Sequence, residues 1–206
     1  MPHIVILDEI NRVDISRIFG ELFTAMEPGY REKRVELPVK DNKNEPIILK
    51  IPKNMYFIGT MNMIDFSLEQ VDFALRRRFV WQLSTYDEGR LNEIISEKLK
   101  EKETSPNEQL WRNFPDSFIN NCTALNNEIE WESSLGKNYL IGHAFFAEIV
   151  DLCEKTQSWM DAKIVLWNIS ILPTLEAYCG TMDSNAKDGF INKCKNAFGV
   201  NTNQKE

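Results

Sequence analysis

The sequence has few of the residues that build metal centres and no run long enough to cross a membrane. It contains two histidines and four cysteines in 206 residues, and no two cysteines form a C-x-x-C pair. A zinc site is therefore not expected, and the thiols are predicted to be free. No apolar run approaches the roughly 20 residues that a spanning helix needs, and no basic segment with a long apolar core begins the chain. We expect a cytoplasmic protein without membrane contact.

The sequence also has no match to G-x-x-x-x-G-K-[ST], the loop that cradles nucleotide phosphates. Basic residues are in the minority, and the formal net charge is −7. This charge argues against general adhesion to a nucleic-acid backbone, although a local basic patch or a DNA-binding neighbour chain remains compatible with it. The densest basic cluster is the triplet at residues 76–78.

A short apolar run near the N-terminus ends in two carboxylates. Residues 4–7 read IVIL, and Asp8 and Glu9 follow directly. Four consecutive apolar residues suit a strand buried on both faces of a parallel sheet. Polar side chains that follow such a strand lie at the sheet edge where nucleotides and metals bind. A second run, at residues 55–61, predicts a neighbouring strand that carries Thr60 and Asn62 to the same edge.

The segments around these strands predict an α/β arrangement. Residues 14–27 carry apolar side chains at helical spacing, and residues 34–39 and 47–51 flank a polar turn and predict a β-hairpin. Residues 67–79 predict a second helix, and residues 80–85 a third strand. This order is typical of the second half of an α/β nucleotide-binding domain.

From residue 87 the pattern changes to helices joined by polar linkers. The helices are predicted over residues 88–103, within 110–130, and over 145–154 and 164–178. The predicted organisation is an α/β core at residues 1–86, a helical domain at 87–198 and a flexible tail at 199–206. The helical part holds four tryptophans whose spacing favours core or interface packing over base stacking: Trp111, Trp131, Trp159 and Trp167.

Three segments together resemble the AAA+ NTPases. They read IVILDEINR at 4–12, GTMNMIDFS at 59–67 and VDFALRRRF at 71–79. They are most similar to the GTP-using McrB branch of methylation-dependent restriction systems, where they are the Walker B strand, the sensor-1 segment and the arginine-finger helix. Residues 141–146, IGHAFF, resemble a motif of that family's lid. The resemblance implies part of an AAA+ parallel sheet, of the P-loop NTPase type, followed by a mostly α-helical lid.

The carboxylates Asp8 and Glu9 have a chemical interpretation of their own. Mg²⁺ prefers hard oxygen ligands and usually shares them with phosphates, so Asp8 is the candidate metal ligand. Glu9 is the candidate general base that polarises the attacking water. The alternative is that the pair only caps the helix that follows.

The second segment supplies amide, hydroxyl and acid groups. Asn62 can bridge a water and a γ-phosphate oxygen, because its amide both donates and accepts. Thr60 is a candidate cofactor-binding residue at the same strand end. The resemblance makes Asp65 the signature acid, which orients Asn62, a water or an arginine. The sequence departs from the family at Phe66, where an arginine is usual. The alternative for Asn62 and Asp65 is a simple turn.

The arginine triplet closes the helix predicted at residues 67–79. Cations at a helix C-terminus interact favourably with the helix dipole, and this alone explains one or two of them. The resemblance implies that one arginine reaches the neighbouring subunit's site and stabilises charge on the γ-phosphate. Arg77 is favoured for this role by position, with Arg76 second.

His143 lies in an apolar stretch with no cysteine or histidine near it in sequence. A packing histidine is the favoured interpretation. The resemblance places its loop in a lid that faces nucleotide, which leaves a minor cofactor-binding role open. Leu140 stands where the family tends to have arginine, and Lys137 is the nearest cation.

Two functions remain open. The first is part of a GTP- or ATP-hydrolysing AAA+ motor subunit of a McrBC-like restriction system, which needs Mg²⁺ and a Walker A segment that these residues lack. The resemblance implies a ring of AAA+ subunits, an endonuclease subunit and DNA contacts through other domains. The second is a non-catalytic module that contributes an arginine finger to an intact subunit. In both cases the 206 residues alone are expected to bind nucleotide negligibly, because the phosphate loop supplies several charge-assisted hydrogen bonds.

Overall fold

The computed structural model describes residues 1–11, 15–61, 76–102 and 107–200. The chain divides into two compact units, Met1–Leu83 and Ser84–Glu206. The first unit contains strands and a helix, and the second is helical. Most of the helix predicted at residues 67–79 lies outside the described residues. The structure therefore has the mixed α/β character, with a short parallel sheet and a helical C-terminal part, that the sequence predicts.

The first unit is built on two parallel strands. Strand β1 (His3–Leu7) pairs with β4 (Met55–Gly59) in parallel register, from His3 opposite Met55 to Leu7 opposite Gly59. The helix α1 (Ile15–Met26) lies between them in sequence. Parallel strands need such a crossover connection, because a tight turn cannot join them. Strand β4 lies within the predicted run at residues 55–61, and β1 begins one residue before the predicted run at residue 4.

A β-hairpin fills the rest of this connection. Strand β2 (Val35–Lys40) pairs antiparallel with β3 (Pro46–Leu49). Asp41 stabilises the turn, because its carboxylate accepts hydrogen bonds from the backbone N–H groups of Lys43 and Glu45, at 2.8 and 2.9 Å. The predicted hairpin is confirmed.

The predicted third strand at residues 80–85 is wrong. These residues have no strand assignment, and Val80 is fully exposed. The indole Nε1 of Trp81 donates a hydrogen bond to the carbonyl of Arg76 at 2.8 Å, so the chain folds back on itself here. An apolar run forms a strand only when a neighbour accepts its backbone hydrogen bonds, and sequence pattern alone does not reveal that neighbour.

The second unit consists of helices around one core. They are α2 (Glu88–Lys102), α3 (Glu108–Arg112), α4 (Ser117–Trp131), α5 (His143–Thr156), α6 (Trp159–Leu166), α7 (Leu172–Tyr178) and α8 (Ser184–Phe198). A π-helical turn at Trp167–Ile171 connects α6 to α7. Helix α4 packs on α8, and α5 packs on α6 and α2. The core is aromatic at its centre, where the ring of Phe198 lies 5.9 Å from that of Phe118 and 6.0 Å from that of Trp167.

The sequence patterns miss helix α8. Its fully or nearly buried side chains are Phe190, Cys194 and Phe198, one per turn, within an otherwise polar and charged sequence. Asp183 caps the helix by accepting the backbone N–H of Ala186, and Gly199 ends it at φ 72°. Val200 is 5% exposed and belongs to the core, so the segment predicted as tail is packed at its start.

Three of the four helical tryptophans lie in the core, which is one of the two packing roles predicted for them, and one does not. Trp111, Trp159 and Trp167 lie in the core, whereas Trp131 is 73% exposed at the end of α4. The aromatic identity of Trp131 predicts burial, but its position in the last turn places it beyond the packed part of the helix. All four cysteines are free, as predicted, and all four are buried. Among the described residues, no helix combines the length and apolarity that a membrane crossing requires.

Candidate functional site

The candidate site lies where β1 and β4 end side by side. The backbone N–H of Thr60 donates to the carbonyl of Leu7 at 2.9 Å, and the N–H of Ile10 donates to the carbonyl of Thr60 at 2.8 Å. These bonds extend the parallel pairing one residue beyond β4. The carboxylates that follow β1 and the hydroxyl that follows β4 are thereby held together at the carboxyl edge of the sheet, where α/β proteins bind their ligands.

The hydroxyl of Thr60 joins the two carboxylate-bearing residues. Its Oγ1 accepts a hydrogen bond from the backbone N–H of Glu9 at 3.0 Å and donates one to the carboxylate of Asp8. Glu9 has a backbone φ of 51°. A left-handed conformation is uncommon for a residue other than glycine and costs roughly 1–2 kcal/mol. The turn after β1 is therefore an unusual backbone that Thr60 helps to fix.

Gly59 allows the close approach on which this arrangement depends. A Cβ placed on Gly59 would lie 3.1 Å from Cδ1 and 3.2 Å from Cγ2 of Ile10. Ile10 itself is only 4% exposed and packs with Phe23. Because Gly59 has no side chain, Ile10 can fold over the end of β4 and draw the preceding turn against Thr60.

The oxygen atoms at this edge suit a small hard cation. Asp8 is exposed and Glu9 is partly exposed, so both carboxylates are accessible. Mg²⁺ in nucleotide sites usually takes one or two carboxylates, keeps several waters and shares the phosphates. A cage of three or more His, Cys, Asp or Glu side chains is not found within the described residues. Asp8 and Glu9 thus supply carboxylate oxygens of the kind that such a cation takes from a protein.

Two predicted site residues, Asn62 and Asp65, lie outside the described residues. Their roles, and the turn that is the alternative for them, stay predictions. The structure does bring the adjacent residues Asp8 and Glu9 together with Thr60, which follows them by 52 and 51 positions in sequence.

In the arginine triplet, two side chains are exposed and the third forms an ion pair. Arg76 and Arg77 are exposed. Arg78 is 17% exposed, and its Nε and Nη2 lie 3.0 and 2.7 Å from one carboxylate oxygen of Glu27, just past the end of α1. Phe79 adds an edge-to-face contact with Phe23, with ring centroids 6.4 Å apart. Arg78 and Phe79 thereby anchor this part of the chain, which follows Arg77, on α1 and on Glu27 just after it.

Sequence reasoning missed the structural role of Arg31. Its Nε donates to the carbonyl of Met26 at 2.8 Å, and its Nη1 donates to the carbonyls of Pro52 and Met55 at 3.0 and 2.7 Å. One guanidinium therefore ties the C-terminal end of α1 to the start of β4, using the fork of donors that lysine lacks. No local motif identifies such a residue, because its partners are backbone carbonyls distant in sequence.

His143 belongs to the helical unit and contacts that unit's first residues. Its Nε2 accepts a hydrogen bond from the backbone N–H of Asp87 at 2.9 Å, and its ring stacks on Tyr86 at 5.8 Å. The hydroxyl of Tyr86 lies 2.8 Å from Oγ1 of Thr123, and burial raises the pKa of Tyr86 to about 12. His143 thus has the packing contacts that one of the two interpretations predicts. Its role toward nucleotide stays a prediction.

Comparisons with known proteins find matches to both units of the chain. The AAA domain family (dynein-related subfamily) matches residues 1–79, and the McrB alpha-helical lid domain matches residues 118–185. The chain is 34% identical over 178 residues to the type IV methyl-directed restriction enzyme EcoKMcrB subunit of Escherichia coli (strain K12). That alignment covers 85% of this chain and 36% of the relative, so the chain spans about a third of the relative's length.

Proposed function

Because the chain belongs to the McrB-like AAA+ proteins, we propose that it is part of the nucleoside-triphosphatase motor subunit of a modification-dependent restriction system. The observation that carries the proposal is the pairing of β1 with β4, which brings Asp8 and Glu9 against Thr60 at the carboxyl edge of the parallel strands. The restriction system enters the proposal from the name of the Escherichia coli relative, which is a subunit of a methyl-directed restriction enzyme.

Asp8 and Glu9 have different roles in hydrolysis. Asp8 holds Mg²⁺, which when bound supplies charge neutralisation on the β- and γ-phosphate oxygens. Glu9 orients the attacking water and accepts its proton. Asn62 positions that water against the γ-phosphate, and Asp65 orients the polar groups around it. The nucleotide is GTP or ATP.

The arginine finger is Arg77, with Arg76 as the second candidate. Arg78 is less suited, because its guanidinium already binds Glu27 and only 17% of its side chain is exposed. A finger acts from one subunit on the nucleotide of the next and stabilises charge that develops in the transition state. We therefore expect it to act within a ring of AAA+ subunits, with an endonuclease subunit as partner and DNA bound by other domains.

The phosphates are bound by residues other than these 206, since no G-x-x-x-x-G-K-[ST] occurs among them. The isolated chain is expected to bind nucleotide negligibly. Tight, Mg²⁺-dependent GTP or ATP binding by these residues alone would contradict that expectation.

A second function is supported by the exposed side chain of Arg77, together with the lack of a phosphate-loop motif among these 206 residues. The chain would then be a non-catalytic module that lends its arginine to an intact AAA+ subunit. The genomic DNA upstream of Met1 separates the two functions. A reading frame that continues into a phosphate loop favours the motor subunit, and a stop codon without one favours the module.

The decisive test is hydrolysis by two complementary variants of the chain joined to its phosphate-loop segment. Glu9→Gln and Arg77→Ala should each lower kcat by about 10³-fold or more, since each removes a group used in the transition state. Mixing the two should restore part of the activity, because some interfaces then combine an intact Glu9 with an intact Arg77. A different outcome would assign the finger to Arg76. In that case a mixture of Glu9→Gln with Arg77→Ala stays inactive, and a mixture of Glu9→Gln with Arg76→Ala recovers activity. No loss in Glu9→Gln would overturn the proposed mechanism.

A further inference from the structure

We infer that Thr60 is a positioning residue, which fixes the geometry of Asp8 and Glu9 and does not itself bind the nucleotide. The inference rests on the proposed function of these two carboxylates. It differs from the sequence-based expectation, which makes Thr60 a cofactor-binding residue.

The hydrogen-bonding capacity of the hydroxyl carries the first step. A threonine hydroxyl has one hydrogen to donate and two lone pairs that accept. In this structure the hydrogen goes to the carboxylate of Asp8, and one lone pair accepts the N–H of Glu9. A phosphate oxygen needs a donor, and the hydroxyl's one hydrogen is already committed. Binding phosphate through Thr60 would require breaking the bond to Asp8.

The backbone of Glu9 carries the second step. Its φ of 51° is unfavourable for a residue with a side chain, so the conformation needs neighbours that hold it. Thr60 supplies two such contacts: its hydroxyl accepts a hydrogen bond from the N–H of Glu9, and its carbonyl accepts one from the N–H of Ile10. The carbonyl bond persists in any substitution at Thr60, whereas the hydroxyl bonds depend on the side chain. The hydroxyl is therefore the part that a mutation can remove cleanly.

The position of Thr60 makes the experiment practicable. The residue is exposed and lies after the end of β4, so a change of its side chain leaves the packed part of the unit intact. Thr60→Val keeps the branched shape and removes the hydroxyl, and Thr60→Ser keeps the hydroxyl and removes the methyl. Thr24→Val is the matched control, because it removes another hydroxyl of the same unit, whose bond goes to the carbonyl of Gly20.

Two measurements on the full 206-residue chain test the inference. The first is the hydrogen-exchange rate of the Glu9 amide, measured by nuclear magnetic resonance. We expect it to rise about tenfold in Thr60→Val, as the loss of one hydrogen bond implies, and to change less than twofold in Thr60→Ser and Thr24→Val. The second is a titration with Mn²⁺ alone, followed by paramagnetic broadening of the amide signals at residues 8–10. Its midpoint should rise at least threefold in Thr60→Val only.

Each outcome bears on a different statement. A Glu9 amide that exchanges equally in Thr60→Val and wild type would overturn the positioning role, and so would equal damage in Thr60→Ser and Thr60→Val. If the wild-type chain shows no Mn²⁺ broadening, the metal assignment of Asp8 in the proposed function fails. The amide measurement then decides on Thr60 by itself.

Discussion

The helical unit encloses most of its apolar side chains, whereas the strand unit leaves many of its own in solvent. Phe146, Phe198 and Leu125 are fully buried within one continuous core of the helical unit. In the strand unit, Ile4 and Ile6 of β1 are 61% and 67% exposed. The buried apolar residues of that unit, among those described, are Ile10, Phe23, Ala25 and Ile51.

The contrast follows from how helices and strands satisfy their backbone hydrogen bonds. A helix makes its backbone hydrogen bonds internally, so several helices can close a core by packing their apolar faces together. A two-stranded sheet pairs one edge of each strand, and stability normally requires further strands or a packed face. The catalytic candidates Asp8 and Glu9 therefore lie on the less buried unit, and the aromatic core of the other unit is a separate source of stability.

The largest effect should follow from opening the helical core. Phe198→Ala should lower the free energy of unfolding by about 3–5 kcal/mol, because it leaves a cavity between the rings of Phe118, Phe146 and Trp167. Urea unfolding followed by circular dichroism measures this. Trp131→Ala is the control: this tryptophan is 73% exposed, and its loss should change the free energy by no more than about 0.5 kcal/mol. Similar losses in both variants would contradict the burial pattern.

A smaller loss of unfolding free energy is expected when the buried hydrogen bonds of Asn126 are removed. Asn126 is 2% exposed, and its side chain accepts the N–H of Ile141 at 2.8 Å and donates to its carbonyl at 3.0 Å. Asn126→Ala should cost about 2–3 kcal/mol, since it leaves two buried backbone groups unpaired. The same change at the partly exposed Asn127 should cost well under half as much. Equal costs would mean that water replaces the lost amide.

The sequence predicts the elements whose pattern is local. The strand ends at Asp8 and at Thr60 can be located because each follows an apolar run at a sheet edge. Helix α8 is missed because one buried residue per turn is a weak periodic signal, although the cap at Asp183 and the glycine at Gly199 mark its two ends. Residues 80–85 show the opposite error, in which an apolar run pairs with no strand among the described residues.

The candidate site divides in the same way. Asp8 and Glu9 are identified by type and position, since carboxylates after a buried strand have a chemical meaning at a sheet edge. The engagement of Arg78 by Glu27 could not be predicted, because the two residues are 51 positions apart and meet only through the fold. The hydroxyl of Thr60 is a similar case, since only the parallel register shows that its hydrogen is used on Asp8.

Alkaline pH should weaken the helical unit. Burial raises the pKa of the Cys194 thiol from 9.0 to about 12, so the folded state keeps a proton that the unfolded state loses. The stability is therefore complete below pH 9 and falls as the pH rises from about 9 to 12. Cys194→Ala should flatten this fall by up to about 1.4 kcal/mol per pH unit. The measurement is urea unfolding under reducing conditions at pH values across this range.

The smallest effects test the two sides of one strand. Val5 is partly buried and Ile6 is 67% exposed, although they are neighbours in β1. Val5→Thr places a hydroxyl on the packed side and should cost about 1 kcal/mol, whereas Ile6→Thr should cost less than about 0.5 kcal/mol. Hydrogen exchange of the β1 amides measures both, and the alternation of side chains along a strand makes each variant the control for the other. If Ile6→Thr costs as much as Val5→Thr, both faces of the sheet are packed in solution. The contrast between an enclosed helical unit and an open strand unit would then not hold.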